Sequence, residues 1–133
     1  MWQLSPLVWA YVGDAVFELY VREHLVQRGL ASVDSLHRQA VGLVRASSQA
    51  ARIRAVEPIL SPEEQEVVHR GRNAHGSGVA RSASAADYRM STGLEALLGF
   101  LYLAGRSERL QEILAALLPD LAPQRAPQGG SQA

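Results

Sequence analysis

The sequence predicts an all-α domain of about six helices, and three observations carry that expectation. Apolar residues recur every three or four positions; Ser-Pro and Gly mark helix starts and stops along the chain; no stretch reads as a strand. With 133 residues, 47% of them apolar, the chain suffices for one hydrophobic core and is too apolar for a disordered segment.

Ser5-Pro6 supplies an N-cap followed by proline at the first helical position, opening a helix that runs to about Arg28, with Gly29 as its terminator. Val8, Val12, Ala15, Val16 and Leu19 recur at helical spacing and form its expected core stripe. Ser32 or Asp34 opens a second helix reaching about Val44. A third follows Ser47 or Ser48 and ends near Glu57, since Pro58 cannot continue it. Ser61-Pro62-Glu63-Glu64 is the clearest start, with cap, proline and an acid at the third position, and Gly71 is the expected stop. Residues 72–83 are rich in Gly, Ser, Asn and Ala and read as a loop, of a length often tied to function. A long apolar helix from about Ala85 to Leu103 is closed by Gly105. Ser107 caps the last helix, which carries Leu110, Ile113, Leu114, Leu117 and Leu118 on one side and stops at Pro119. One domain is therefore expected over residues 1–119, followed by a disordered tail over residues 120–133.

Composition narrows the function. Without cysteine, neither a disulfide framework nor a thiolate metal site can form. Asp14 and Glu18 interrupt the N-terminal apolar stretch, so no secretory signal is expected there. Leu94 to Gly105 is the most membrane-like stretch, yet it falls short of the about 20 apolar residues a spanning helix needs and contains Glu95. A soluble protein is expected. The net charge is zero, but it is segregated: residues 22–54 carry six Arg against Glu23 and Asp34, and residues 69–89 carry four Arg against Asp87. All thirteen cations are Arg, which binds phosphate bidentately.

Two acids break apolar helical patterns: Asp14 in Tyr11-Val-Gly-Asp-Ala-Val16, and Glu95 in Ser91-Thr-Gly-Leu-Glu-Ala-Leu-Leu-Gly99. A carboxylate among such neighbours must be paired, protonated or bound to a cation. Gly13, Gly93 and Gly99 lie close by, and helices crossing at small residues would bring Asp14 and Glu95 together. Two carboxylates suit a hard cation such as Mg²⁺, which fills its other positions with water and phosphate oxygens. Spacing alone leaves another reading open, with Glu95 paired to Arg22 or Arg45 and Asp14 on a wet face. The segment Val68-His-Arg-Gly-Arg-Asn-Ala-His-Gly-Ser-Gly78 displays Arg70, Arg72 and Asn73 as phosphate and sugar donors. It reads equally as a solvated helix end whose basic residues favour the dipole. Tyr88 and Arg89 are further candidates for RNA contact, and Tyr88 is equally a candidate packing residue.

These motifs resemble the ribonuclease III superfamily. Ala10–Leu19 is similar to its signature helix, Leu-Gly-Asp-Ala-Val-Leu, and Leu94–Leu103 to its second acidic helix. The Mini-III branch resembles the chain more closely still, through Tyr11–Glu18, Arg70–Ala74 and Tyr88–Leu97, with similarity over about residues 4–118. Ala10, Leu7 and Thr92 stand where full-length ribonuclease III has further acids, a reduction the Mini-III branch shares. No counterpart of the C-terminal double-stranded-RNA-binding domain of full-length ribonuclease III is expected.

The resemblance implies a ribonuclease III-like fold and a Mg²⁺-dependent endoribonuclease. Asp14 and Glu95 would be its catalytic and metal-binding residues. Double-stranded RNA would be cut by a homodimer, each subunit cutting one strand. Arg70, Arg72 and Asn73 lead the implied RNA contacts, with Arg81, Arg89, His37 and Arg38 behind them. It further implies a cytoplasmic enzyme that matures 23S ribosomal RNA precursor, with a large-subunit ribosomal protein as a candidate helper and no membrane association. The alternative is a non-catalytic double-stranded-RNA-binding or ribosome-assembly module on the same fold, which the presence of both acids disfavours.

Overall fold

A computed structural model describes residues 1–29, 32–74, 83–119 and 121, and within them are six α-helices, one short 3₁₀ turn and no strand. The helices are α1 (Pro6–Gln27), α2 (Val33–Val44), α3 (Ala46–Val56), α4 (Pro62–Arg72), α5 (Ala83–Leu103) and α6 (Ser107–Leu117); the 3₁₀ turn is Glu57–Ile59. The punctuation acts largely as expected. The Ser5 and Ser32 side chains cap α1 and α2. Ser61 and Glu64 form a reciprocal capping box at the start of α4. Gly29 and Gly105 adopt the positive φ that ends a helix without a Cβ clash.

Helix α5 is the hub, packing against α1, α3, α4 and α6. Leu94, Leu97, Leu98 and Leu101 are fully buried there, together with Trp9 and Phe17 of α1, Ile53 of α3, Val67 of α4 and Ile113 of α6. Burying each such side chain contributes about 1.5–3 kcal/mol. Trp2, ahead of α1, lies against Trp9 and Phe100 and so ties the N-terminal segment to α5. Leu121 also reaches the core. The loop expected over residues 72–83 falls mostly outside the described residues, as do Arg81 and the tail apart from Leu121.

Three expectations are corrected. The α1 core face is Trp9, Ala10, Gly13, Phe17, Tyr20, Val21 and Leu25, whereas Val8, Ala15 and Leu19 of the expected stripe point outward. This helix is apolar nearly all round, so periodicity could not tell its two apolar faces apart. Gly71 does not end α4. It lies within the helix, where an added Cβ would meet Ala96 Cβ at 2.7 Å and Gly93 Cα at 2.9 Å, so it serves the α4–α5 contact. Ser107 is the first residue of α6 and not its cap, a position Arg106 occupies.

Candidate active site

The site begins with the crossing of α1 and α5. Gly13 faces the Glu95 carbonyl and Gly99 faces the Trp9 carbonyl, so closely that a methyl group on either glycine would overlap backbone. The two helices therefore touch main chain to main chain. The residue after Gly13 is Asp14, and Glu95 lies one turn before Gly99, so one contact sets both acids side by side. Their side chains come within hydrogen-bonding reach of each other.

Asp14 is exposed and Glu95 is partly buried. Burial is the largest influence on Glu95 and the Asp14 charge the next; together they push its carboxyl up to about 8. The expected alternative pairing is not what the structure shows, since Arg22 pairs with Glu18 and no ion pair to Glu95 occurs among the described residues. Its polar neighbour is Gln49 of α3, whose amide favours the charged form. Sequence reasoning missed Gln49. In Ser47-Ser-Gln-Ala50 it reads as part of a wet face, and only the packing of α3 on α5 buries it.

Both acids open onto a cavity of about 420 Å³, lined also by Leu7, Ala10, Tyr11, Ala46, Tyr88, Ser91 and Thr92. Leu7, Ala10 and Thr92 thus border the acids, and Tyr11 and Tyr88 bring the exposed aromatic surface. Among the described residues no cluster of three or more His, Cys, Asp or Glu suited to a metal exists, and the candidate donors here are the two carboxylates. Such a pair fits Mg²⁺, a hard cation that takes one or two carboxylates and leaves other positions for water and phosphate. It would also relieve the repulsion that raises Glu95.

The expected RNA contacts lie elsewhere. Arg70 is engaged by Glu66 at 2.8 Å and stacks over Trp2. Asn73 contacts the His69 ring, and Arg72 lies across Gly93 and borders a separate cavity with His69 and Glu57. His37 lines a mostly apolar cavity between α1 and α2, whereas Arg38 lines another beside Arg28 and Arg52. Arg89 is half-buried, one residue beyond Tyr88 of the acid-lined cavity, and has a partner of its own. The structure thus unites Asp14 with Glu95, while His37, Arg38 and Arg72 line other cavities.

Residues 7–106 match the ribonuclease III domain. Mini-ribonuclease 3 of Symbiobacterium thermophilum is 53% identical over 85% of this chain and 87% of its own length. Mini-ribonuclease 3 of Clostridium tetani is 40% identical over 87% of this chain and 78% of its own. An X-ray structure of a Fusobacterium nucleatum protein, 26% identical, superposes with a TM-score of 0.77 over 89% of this chain and 94% of that one. A glycine-crossed acid pair in an all-helical domain, with sequence similarity along most of its length, leads to one assignment: the chain belongs to the Mini-ribonuclease 3 branch of the ribonuclease III family.

Proposed function

We propose that this ribonuclease III-type endoribonuclease cuts double-stranded RNA in a Mg²⁺-dependent reaction at Asp14 and Glu95. The observation that carries the reading is the juxtaposition of the two acids at the α1–α5 crossing, opening onto a solvent-facing cavity. Asp14 and Glu95 would hold the ion, which when bound supplies Lewis acidity and lowers the pKa of its water. Asp14 reaches out from the exposed rim, and Glu95 sits deeper. Glu95 must be ionised to act as a ligand, so the Gln49 amide and the ion both work against the burial that favours its protonated form.

The substrate is read as an A-form duplex, recognised by shape, phosphates and 2′-hydroxyls. Arg72 and Asn73 at the end of α4, Arg89 on α5, and His37 and Arg38 on α2 are the proposed contacts. Arg70 joins them by exchanging Glu66 for a phosphate. Arg81, outside the described residues, is proposed with them.

The working unit is proposed to be a homodimer. Val8, Tyr11 and Leu19 are 43%, 82% and 67% exposed on the outer side of α1, an apolar surface that a second copy would cover. Precursor 23S ribosomal RNA as substrate, a ribosomal protein as helper and a cytoplasmic setting complete the reading. No helix among the described residues is long and apolar enough to cross a membrane.

The test incubates the purified chain with long double-stranded RNA and Mg²⁺, beside Asp14→Asn and Glu95→Gln. Metal-dependent cleavage by the native chain alone, sparing single-stranded RNA and double-stranded DNA, supports the reading. Binding without cleavage would instead assign a non-catalytic assembly module. Sedimentation of Tyr11→Asp checks the dimer, with a shift to single copies expected.

A further inference from the structure

Trp2 lies ahead of α1 and outside the matched residues 7–106, yet its ring is anchored from two sides. It meets Trp9 edge-on at 5.6 Å and Phe100 at 5.0 Å between ring centroids, and both of those side chains are buried. Trp2 itself stays 41% exposed, and the Arg70 guanidinium sits over its ring, 5.1 Å from the centroid. An indole face is the strongest aromatic partner for a cation. Arg106 offers a comparison at the same aromatic cluster. It lies 5.5 Å from the Phe100 ring centroid and pairs with Glu63 on α4, as Arg70 pairs with Glu66 one turn on. The two pairs use different edges of the guanidinium. Arg106 directs both Nη groups at the two Glu63 oxygens, which closes its fork. Arg70 gives only Nε to Glu66, at 2.8 Å, and among the described residues neither of its Nη groups has a hydrogen-bond partner.

Two adjacent N–H groups on one edge are what a phosphate takes bidentately, and Arg70 has that edge open. We propose that Trp2 is a positioning residue for RNA binding: its ring carries the Arg70 guanidinium so that the open Nη groups meet a phosphate of the duplex. This role rests on the reading of Arg70 as an RNA contact above. Stacking engages the face of the guanidinium, whereas its N–H groups all lie in the plane. The Trp2 contact therefore survives when Glu66 gives way to the phosphate, which a contact through the N–H edge would not. Without the ring, an arginine that has lost its carboxylate regains its rotamer freedom, and binding must remove that freedom again.

The experiment measures binding of the full-length chain to a short RNA duplex in buffer containing EDTA, over a series of salt concentrations. Arg70→Gln is expected to weaken binding and to lower the salt slope by about one. Trp2→Leu keeps an apolar side chain against Trp9 and Phe100 but removes the ring. It should weaken binding about two- to fivefold with the salt slope unchanged, and Trp2→Tyr should recover most of the loss. In the Arg70→Gln background, Trp2→Leu should change nothing further. Trp2→Met serves in its place if Trp2→Leu loses its helical circular dichroism. A merely structural Trp2 would weaken binding equally in both backgrounds, and that result overturns the proposal. Native affinity in Trp2→Leu beside a weakened Arg70→Gln overturns it too. Native affinity and salt slope in Arg70→Gln would remove the Arg70 contact and this role with it, leaving the acid pair to its own cleavage test.

Discussion

Glu64 on α4 is 4% exposed, with Arg109 donating to both of its oxygens at 2.8 Å and the Ser61 backbone bound to it as well. Glu95 on α5 is less buried and has Asp14 where Glu64 has an arginine. Hydrogen bonding from Arg109 pulls the Glu64 carboxyl below the ordinary range, whereas burial and Asp14 push Glu95 up to about 8. The two residues are the same chemical group withdrawn from water, with opposite electrostatics. Glu64 has its charge balanced within the fold and locks α4 to α6. Glu95 has no cation beside it among the described residues, and its carboxyl is driven toward the neutral form. Withdrawal from water therefore does not by itself set the state of an acid; the charge of its nearest neighbour acts beside it.

That contrast can be broken most sharply at the acid pair. Asp14→Asn and Glu95→Gln are each expected to cut the cleavage rate by at least about 10³-fold while leaving the helical circular dichroism intact. Either variant cleaving at near-native rate would remove the functional half of the comparison. At the crossing below, Gly13→Ala or Gly99→Ala must force two backbones apart. A loss of at least about 3 kcal/mol is expected in urea unfolding. On the structural side, Glu64→Gln should cost about 2–3 kcal/mol, below the full value for a buried pair because Arg109 is partly exposed. Cleavage below the melting temperature should be unaffected.

Acidity separates the two residues further. The folded chain holds a proton on Glu95 that the unfolded chain releases near the ordinary glutamate value of 4.5. Metal-free stability should therefore fall as pH rises from that value to about 8, by on the order of 1–3 kcal/mol, and Glu95→Gln should flatten the slope. Glu64 acts in the opposite sense: its lowered carboxyl contributes stability above the ordinary range, lost as pH falls through its folded value. Melting curves at several pH values, with and without Mg²⁺, would show both trends. The smallest effect belongs to the exposed Arg22–Glu18 pair, where Arg22→Ala should change stability by no more than about 0.5 kcal/mol.

Much of this was legible in the sequence where a residue contradicts its surroundings. Asp14 and Glu95 stand out because charge interrupts apolar helices, and the glycines beside them announce close packing. The six helices follow from caps and stops that act over a few residues. What stayed hidden depends on distant partners. Nothing near Glu64 foretells Arg109, 45 residues away, and Gln49 in a polar run gives no hint of burial. The inward face of α1 is not legible because apolar residues occupy both sides of the helix, and only the tertiary packing decides which side is inward. A motif that supplies Arg72 and Asn73 names donors, and donors alone do not specify which surface they share.

The contact between Gly13 and Gly99 carries a thermal consequence. Side-chain packing loosens with temperature as rotamers become accessible, but a main-chain contact has no rotamers to release. The spacing of Asp14 and Glu95 should therefore stay fixed on warming until α1 and α5 separate, which is unfolding of the core itself. The acid pair has no softer mode of failure: heat should abolish the proposed metal binding and helical structure at one temperature, in a single transition.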